Sequence, residues 1–151
     1  MVDPIPEAYP RVTPYLYIDG APAAIDFYTE VLGADVRMTM PGPGGKIGHA
    51  ELSIGDSVIM LADEFPDMGV RGPKSVGGSP VAIHVYVNDV DATFEKALSA
   101  GATTLRPVED KFYGDRGGEF EDPFGHRWSI ASHIEDLTPE EMERRMGEMP
   151  G

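Results

Sequence analysis

Cysteine is absent from the 151-residue chain. That absence excludes disulfides, thiolate metal sites and thiol nucleophiles together. A metal, if there is one, has to be held by carboxylates and by the 4 His of the chain. Cations are scarce too: 12 Lys and Arg stand against 26 Asp and Glu, for a net charge of −14. Such a surface repels phosphate backbones and anionic headgroups, so neither nucleic acid nor membrane is an expected partner. No run approaches the roughly 20 apolar residues that span a bilayer. "MVDPIPEAYP" has neither a basic region nor an apolar core, so it does not read as a signal peptide, and the cytoplasm is the expected location.

Glycine and proline, by contrast, are plentiful, with 18 and 14 copies. They sit between apolar runs rather than in one tract, which predicts many turns and many short strands. "RVTPYLYIDG" (11–20) has strand composition, with Pro14 placing an edge or an interruption near its start. "APAAIDFYTEVLGADV" follows with Ile25, Tyr28, Val31 and Leu32 at helical spacing and Gly33 as a stop. Three strand segments come next, divided by "PGPGGK" and by a tight "GD" turn. After a polar, glycine-rich connection at 64–79 the same order begins again. "VAIHVYV" is a strand, "DVDATFEKALSAGA" a helix capped by Asp89 or Asp91, and "TTLRPVE", "GGEFED" and "HRWSIASH" are strands.

"LYIDGAPAAIDFYTEVLGA" and "VYVNDVDATFEKALSAGA" therefore repeat one pattern about 70 residues apart. The expected fold is α+β: two βαβββ units, at about 11–63 and 80–133, whose mixed sheets curve into a cup within a single domain. A C-terminal helix at about 138–148 carries a capping box, with Thr138 at the N-cap, Pro139 at N1 and Glu141 at N3. Met142 and Met146 form its apolar stripe, to be packed on its own domain or on a partner.

"AIDFYTEVLGADV", "VNDVDATFEKALSAGA" and "GDRGGEFEDPFGHRWSIASH" resemble the glyoxalase, bleomycin-resistance and extradiol-dioxygenase superfamily, the vicinal oxygen chelate fold. The third segment looks most like its small PhnB-type members. The resemblance implies a homodimer and, in metal-dependent members, a His, Gln or Glu at each of four strand positions. Those positions fall here on Thr13, Met60, Ala82 and Ser129. None suits a divalent ion, so no metal and no other cofactor is expected. The alternative is a divalent ion on an atypical set of His49, Glu51 and His84.

The expected ligand is a small organic molecule, an antibiotic or a metabolite, bound in the cup by His84, Tyr86, Met60, Ser129, Tyr15, Glu51 and Arg116. His84 is either a core histidine or a polar group aimed at that ligand. Arg116, in "YGDRGG", either clamps an anion or pairs with an acid of the surface. Trp128 faces the helix layer if Ser129 faces the cup, and Asp122 is expected to bond its own turn. His126 is expected at an exposed turn. No catalytic residue is assigned. The rival function is an enzyme of the same superfamily, a lyase, isomerase or dioxygenase. It would be metal-dependent on the atypical set, or metal-free with His84 or Glu51 as acid–base.

Overall fold

The computed structural model describes residues 2–149. The chain divides into two compact units, Met1–Ser79 and Pro80–Gly151. Each holds one four-stranded mixed sheet with a helix on one face.

The first unit runs β1 (Tyr15–Ile18), α1 (Ala21–Leu32), β2 (Asp35–Pro41), β3 (Ile47–Ile54) and β4 (Ser57–Asp63). Its strand order is β1-β4-β3-β2, with β1 parallel to β4 and the other pairs antiparallel. Alternation along the strands sorts the residues. Leu16, Ile18, Ala50, Leu52, Ile59 and Leu61 are buried with Ala24, Phe27, Tyr28 and Val31 of α1, while Tyr15, Tyr17, His49, Glu51 and Met60 take the opposite, open face. β1 begins at Tyr15 rather than at residue 11, because Pro14 has no N–H for the ladder. Its carbonyl still receives the Met60 N–H at 2.9 Å. Gly33 ends α1 in the left-handed region (φ 66°), where its N–H reaches the Tyr28 carbonyl.

Residues 64–79, the polar, glycine-rich connection, are locally ordered. The Glu64 carboxylate accepts from the Gly72 N–H and the Ser75 hydroxyl, both at 2.6 Å, and so fixes the start of α2 (Pro73–Val76).

The second unit repeats the plan with β5 (Ala82–Tyr86), α3 (Val90–Ser99), β6 (Thr103–Asp110), β7 (Asp115–Glu121) and β8 (Arg127–His133), in the order β5-β8-β7-β6. Asp89, not Asp91, caps α3, accepting from the Ala92 N–H at 3.1 Å. Phe120, Trp128 and Ile130 are fully buried with Val90, Phe94 and Ala97 of α3, and the Phe94 and Phe120 rings meet edge to face at 5.7 Å. Trp128 thus lies in the core and Ser129 on the open face, as alternation requires. His126, expected exposed, is half-buried.

α4 (Pro139–Gly147) starts at Thr138, whose hydroxyl accepts from the Glu141 N–H at 3.2 Å. It buries no residue. A polar clasp holds it: Arg145 donates to the Phe112 carbonyl at 3.1 Å and to Glu135 at 2.6 Å. Met146 is exposed and Met142 half-buried, so the expected apolar stripe is only partly covered within its own unit. Among the described residues no helix is long and apolar enough to cross a membrane.

Candidate functional site

On the open face of the second sheet, register lines up one row of side chains: His84 on β5, Ser129 on β8, Glu119 on β7 and Arg106 on β6. The same row in the first unit reads Tyr15, Met60, Glu51 and Met38. The internal repeat therefore reaches the level of single positions: Glu119 and Glu51 match, and His84, Ser129 and Arg106 stand where Tyr15, Met60 and Met38 stand in the first unit.

The row of the second unit floors a cleft of about 560 Å³. Ser129, Ala131 and Gly117 keep the floor low. A Cβ added to Gly117 would lie 2.8 Å from the Ile130 carbonyl oxygen, so even one methyl there collides with β8. The β6–β7 connection, with Lys111, Phe112 and Tyr113, supplies a wall, and Met149 lines the cleft as well. Glu119 sits between two guanidiniums, 2.6 Å from Arg127 and 4.0 Å from Arg106.

His84 is exposed on this floor and is held in two ways. Its Nδ1 lies 2.8 Å from the Ser129 hydroxyl, and its ring meets that of Tyr86 edge to face at 4.9 Å. The serine thereby occupies Nδ1 and leaves Nε2 for a further partner. Tyr86 is fixed in turn, donating to Asp115 Oδ2 at 2.7 Å. The buried Asp115 also meets His133 Nδ1 at 2.8 Å, and His133 Nε2 meets Asp136 at 2.7 Å. Burial pushes the Asp115 carboxyl up, but hydrogen bonds from His133 and Tyr86 outweigh it and hold the group below its ordinary range. The hydrogen bonds to Asp115 and Asp136 raise His133 above the usual imidazole value.

In the first unit Tyr15 and Met60 are register partners, and Glu51 is the next in the row. Glu51 is buried, and both its oxygens are engaged: Oε1 accepts from the Tyr9 hydroxyl at 2.7 Å and Oε2 lies 2.9 Å from His49 Nε2. The hydrogen bond from His49 holds its carboxyl below the ordinary range, against the opposing effect of burial. His49 Nδ1 is 2.8 Å from the Tyr15 hydroxyl.

Arg116 takes no place on either open face. It follows Asp115 on a strand, so alternation turns it toward α3, where Asp91 accepts from its Nε and Nη2 at 2.9 and 3.0 Å and Asp110 from its Nη1 at 2.9 Å. Of its two expected roles, the structure shows the ion pair.

Tyr9, Asp115 and His133 were not predicted as site residues. Each acts through a partner far along the chain, at a separation of 42 for Tyr9 and Glu51 and 18 for His133 and Asp115. Short-range periodicity carries no trace of such pairs.

The four strand positions that bear ligands in metal-dependent relatives do not fit a divalent ion here. Thr13 and Ser129 offer neutral hydroxyls, Met60 a thioether and Ala82 nothing. Both ring nitrogens of His49 already have partners within the first unit. Among the described residues no group of three or more His, Asp or Glu is arranged to hold a metal ion.

Comparison with known proteins agrees with this architecture. Residues 10–130 match the Glyoxalase/Bleomycin resistance protein/Dioxygenase superfamily. An uncharacterized protein of Mycobacterium bovis is 44% identical over 140 residues, covering 91% of this chain and 92% of its own length. Among solved structures, TioX from Micromonospora sp. ML1 is similar with a TM-score of 0.62 at 26% identity, covering 85% of this chain and all of that one (100%). A glyoxalase-related enzyme from Fulvimarina pelagi shares the fold, with a TM-score of 0.61, 22% identity and coverage of 82% and 88%. From its two repeated sheet units and the match over residues 10–130, the chain belongs to the glyoxalase, bleomycin-resistance and dioxygenase superfamily.

Proposed function

We propose that this member binds a small organic molecule in the cleft of its second unit without a metal, with His84 as the principal polar anchor. The observation that carries the proposal is an exposed imidazole on the floor of a 560 Å³ cleft, with one nitrogen fixed by Ser129 and the other left for a ligand. That volume lies in the range of ligand pockets, roughly 300–1,000 Å³. Tyr113, Phe112, Ala131 and Met149 supply aromatic and apolar contact. Tyr86 supports His84 through its ring. Arg106 and Lys111 line the cleft beside Glu109, Asp110 and Glu119, whose carboxylates already pair with Lys111, Arg116 and Arg127, so the charge preference rests on the net −14 of the chain as a whole. A cationic or zwitterionic antibiotic or metabolite fits this electrostatic setting best.

The test is thermal unfolding against a panel of antibiotics and metabolites in the presence of EDTA. At least one cationic, ring-bearing compound is expected to raise the melting temperature, and Ala131→Trp, which fills the cleft floor, is expected to abolish that rise. Stabilisation that needs an added divalent ion, or that survives Ala131→Trp, contradicts the proposal.

A further inference from the structure

Each acid that lines the cleft of the second unit has a close cation. Glu109 lies 2.7 Å from Lys111, Asp110 2.9 Å from Arg116 and Glu119 2.6 Å from Arg127. Arg106 is the cation left over. Its guanidinium makes no hydrogen bond among the described residues, its one ion contact is Glu119 at 4.0 Å, and its side chain is 73% exposed. Glu119 is half open in the same sense. Arg127 Nε and Nη2 both approach its Oε1, at 2.9 and 2.6 Å, whereas its Oε2 has only the distant Arg106. Arg106 and Glu119 are register partners on β6 and β7, so an open guanidinium and an open carboxylate oxygen stand one strand spacing apart, about 4.8 Å between backbones. At 4.0 Å the two do not close on each other, and so exposed a contact contributes little.

We infer, on the reading of this cleft as the ligand site, that Arg106 and Glu119 receive the head of a zwitterion, an α-amino acid or a molecule that ends in one. Its carboxylate sits on Arg106 and its ammonium on Glu119 Oε2. The guanidinium fork matches a carboxylate with two parallel N–H···O bonds, and an ammonium brings donors to an oxygen that can only accept. One carbon separates the two charged groups of an α-amino acid, which suits partners on adjacent strands. Charge balance selects the zwitterion. A plain amine leaves Arg106 without an anion, and a plain carboxylate leaves Glu119 Oε2 without a donor. The net −14 of the chain draws in the ammonium end, so Arg106 is the residue that rejects simple amines. The rest of the molecule runs along the floor toward β5, over the short side chains of Ser129 and Ala131 and beside Phe112 and Tyr113. His84 stands two strand spacings from Glu119, about 10 Å between backbones, where its Nε2 meets a polar atom at the far end. A ring-bearing amino acid fills the whole row.

Three probes of one shape test it: L-tryptophan, tryptamine, which lacks the carboxylate, and indole-3-propionate, which lacks the ammonium. Each is titrated into the full chain, with Kd read from backbone amide shifts by NMR. L-tryptophan is expected to bind roughly tenfold more tightly than either analogue, with the largest shifts at Arg106 and Glu119. Arg106→Gln, at an exposed side chain, should weaken L-tryptophan roughly tenfold and leave tryptamine within about twofold. Glu119→Gln should weaken L-tryptophan and tryptamine and leave indole-3-propionate within about twofold. Equal affinity for L-tryptophan and tryptamine, an unchanged L-tryptophan Kd in Arg106→Gln, or no L-tryptophan binding at all overturns the zwitterion head. Ala131→Trp separates this failure from failure of the cleft itself. Probe binding lost in Ala131→Trp but indifferent to Arg106→Gln refutes the zwitterion head alone, and L-tryptophan binding that survives Ala131→Trp refutes the cleft reading together with it.

Discussion

His133 shows how one imidazole ties the end of the last strand to the protein. It bridges the buried Asp115 and the exposed Asp136, and both hydrogen bonds favour its protonated form. The sign of the resulting stability follows from linkage. A raised imidazole contributes fully below its ordinary value of 6.5, and the contribution is lost as pH rises through the raised value. Asp115 is depressed, so its share is present above the ordinary 3.8 and is lost as pH falls. The pair therefore stabilises most between those two values. Thermal unfolding of the unmodified chain and of His133→Asn should differ most near about pH 5.5, and the gap should narrow as pH rises through the raised imidazole value. A gap that widens on the alkaline side contradicts the assigned pairing. Nothing near His133 in sequence announces Asp115, because the two meet only when β7 and β8 pair.

The β7–β8 hairpin is the element that the sequence described best. "EDPFGHRW" places an Asx residue before a proline-containing turn, and Asp122 does bond that turn. Its Oδ1 accepts from the Phe124 and His126 N–H groups at 2.9 and 3.0 Å, and its Oδ2 accepts from Trp128 Nε1 at 2.9 Å. The indole bond was not legible, since it spans the turn and depends on where the Trp128 ring settles in the core. Asp122 is only 3% exposed, so its loss removes the acceptor of the buried Trp128 indole N–H and of two part-buried turn N–H groups. At about 1–3 kcal/mol for a stranded buried donor, Asp122→Ala should cost roughly 3 kcal/mol. For a chain of this size that is a fall of about 6–12 °C in melting temperature, read by calorimetry. A fall under about 2 °C would show that the turn holds without it. Arg116 illustrates the opposite case. Its stretch "YGDRGG" reads as a loop, whereas β7 begins at Asp115, and that one-residue start turns the guanidinium to the helix side.

Taken whole, the chain was legible where short-range pattern decides: two repeated units, their strand faces and the C-terminal helix with its Thr138 cap. It was illegible where pairing across the sheet decides, as for Tyr9 with Glu51 and His133 with Asp115, and where Glu64 orders the connection at 64–79. The open sheet faces leave Tyr15, Tyr17 and Tyr86 exposed, and α4 leaves Met146 exposed. We propose that a second copy covers part of this surface, as a two-fold homodimer would. Light scattering behind size-exclusion chromatography should then give about 33 kDa, twice the 16.3 kDa of the chain, and a mass near 16.3 kDa rejects the dimer.

The decisive measurement for the binding function is isothermal titration of the best cationic compound from the thermal panel into the unmodified chain and into His84→Ala. A hydrogen bond to a ligand contributes about 1–1.5 kcal/mol, so Kd should rise roughly tenfold in His84→Ala. Because His84 is exposed rather than part of the core, the melting temperature of the free variant should stay within about 2 °C of the original. An unchanged Kd in His84→Ala, with the fold intact, would contradict the account.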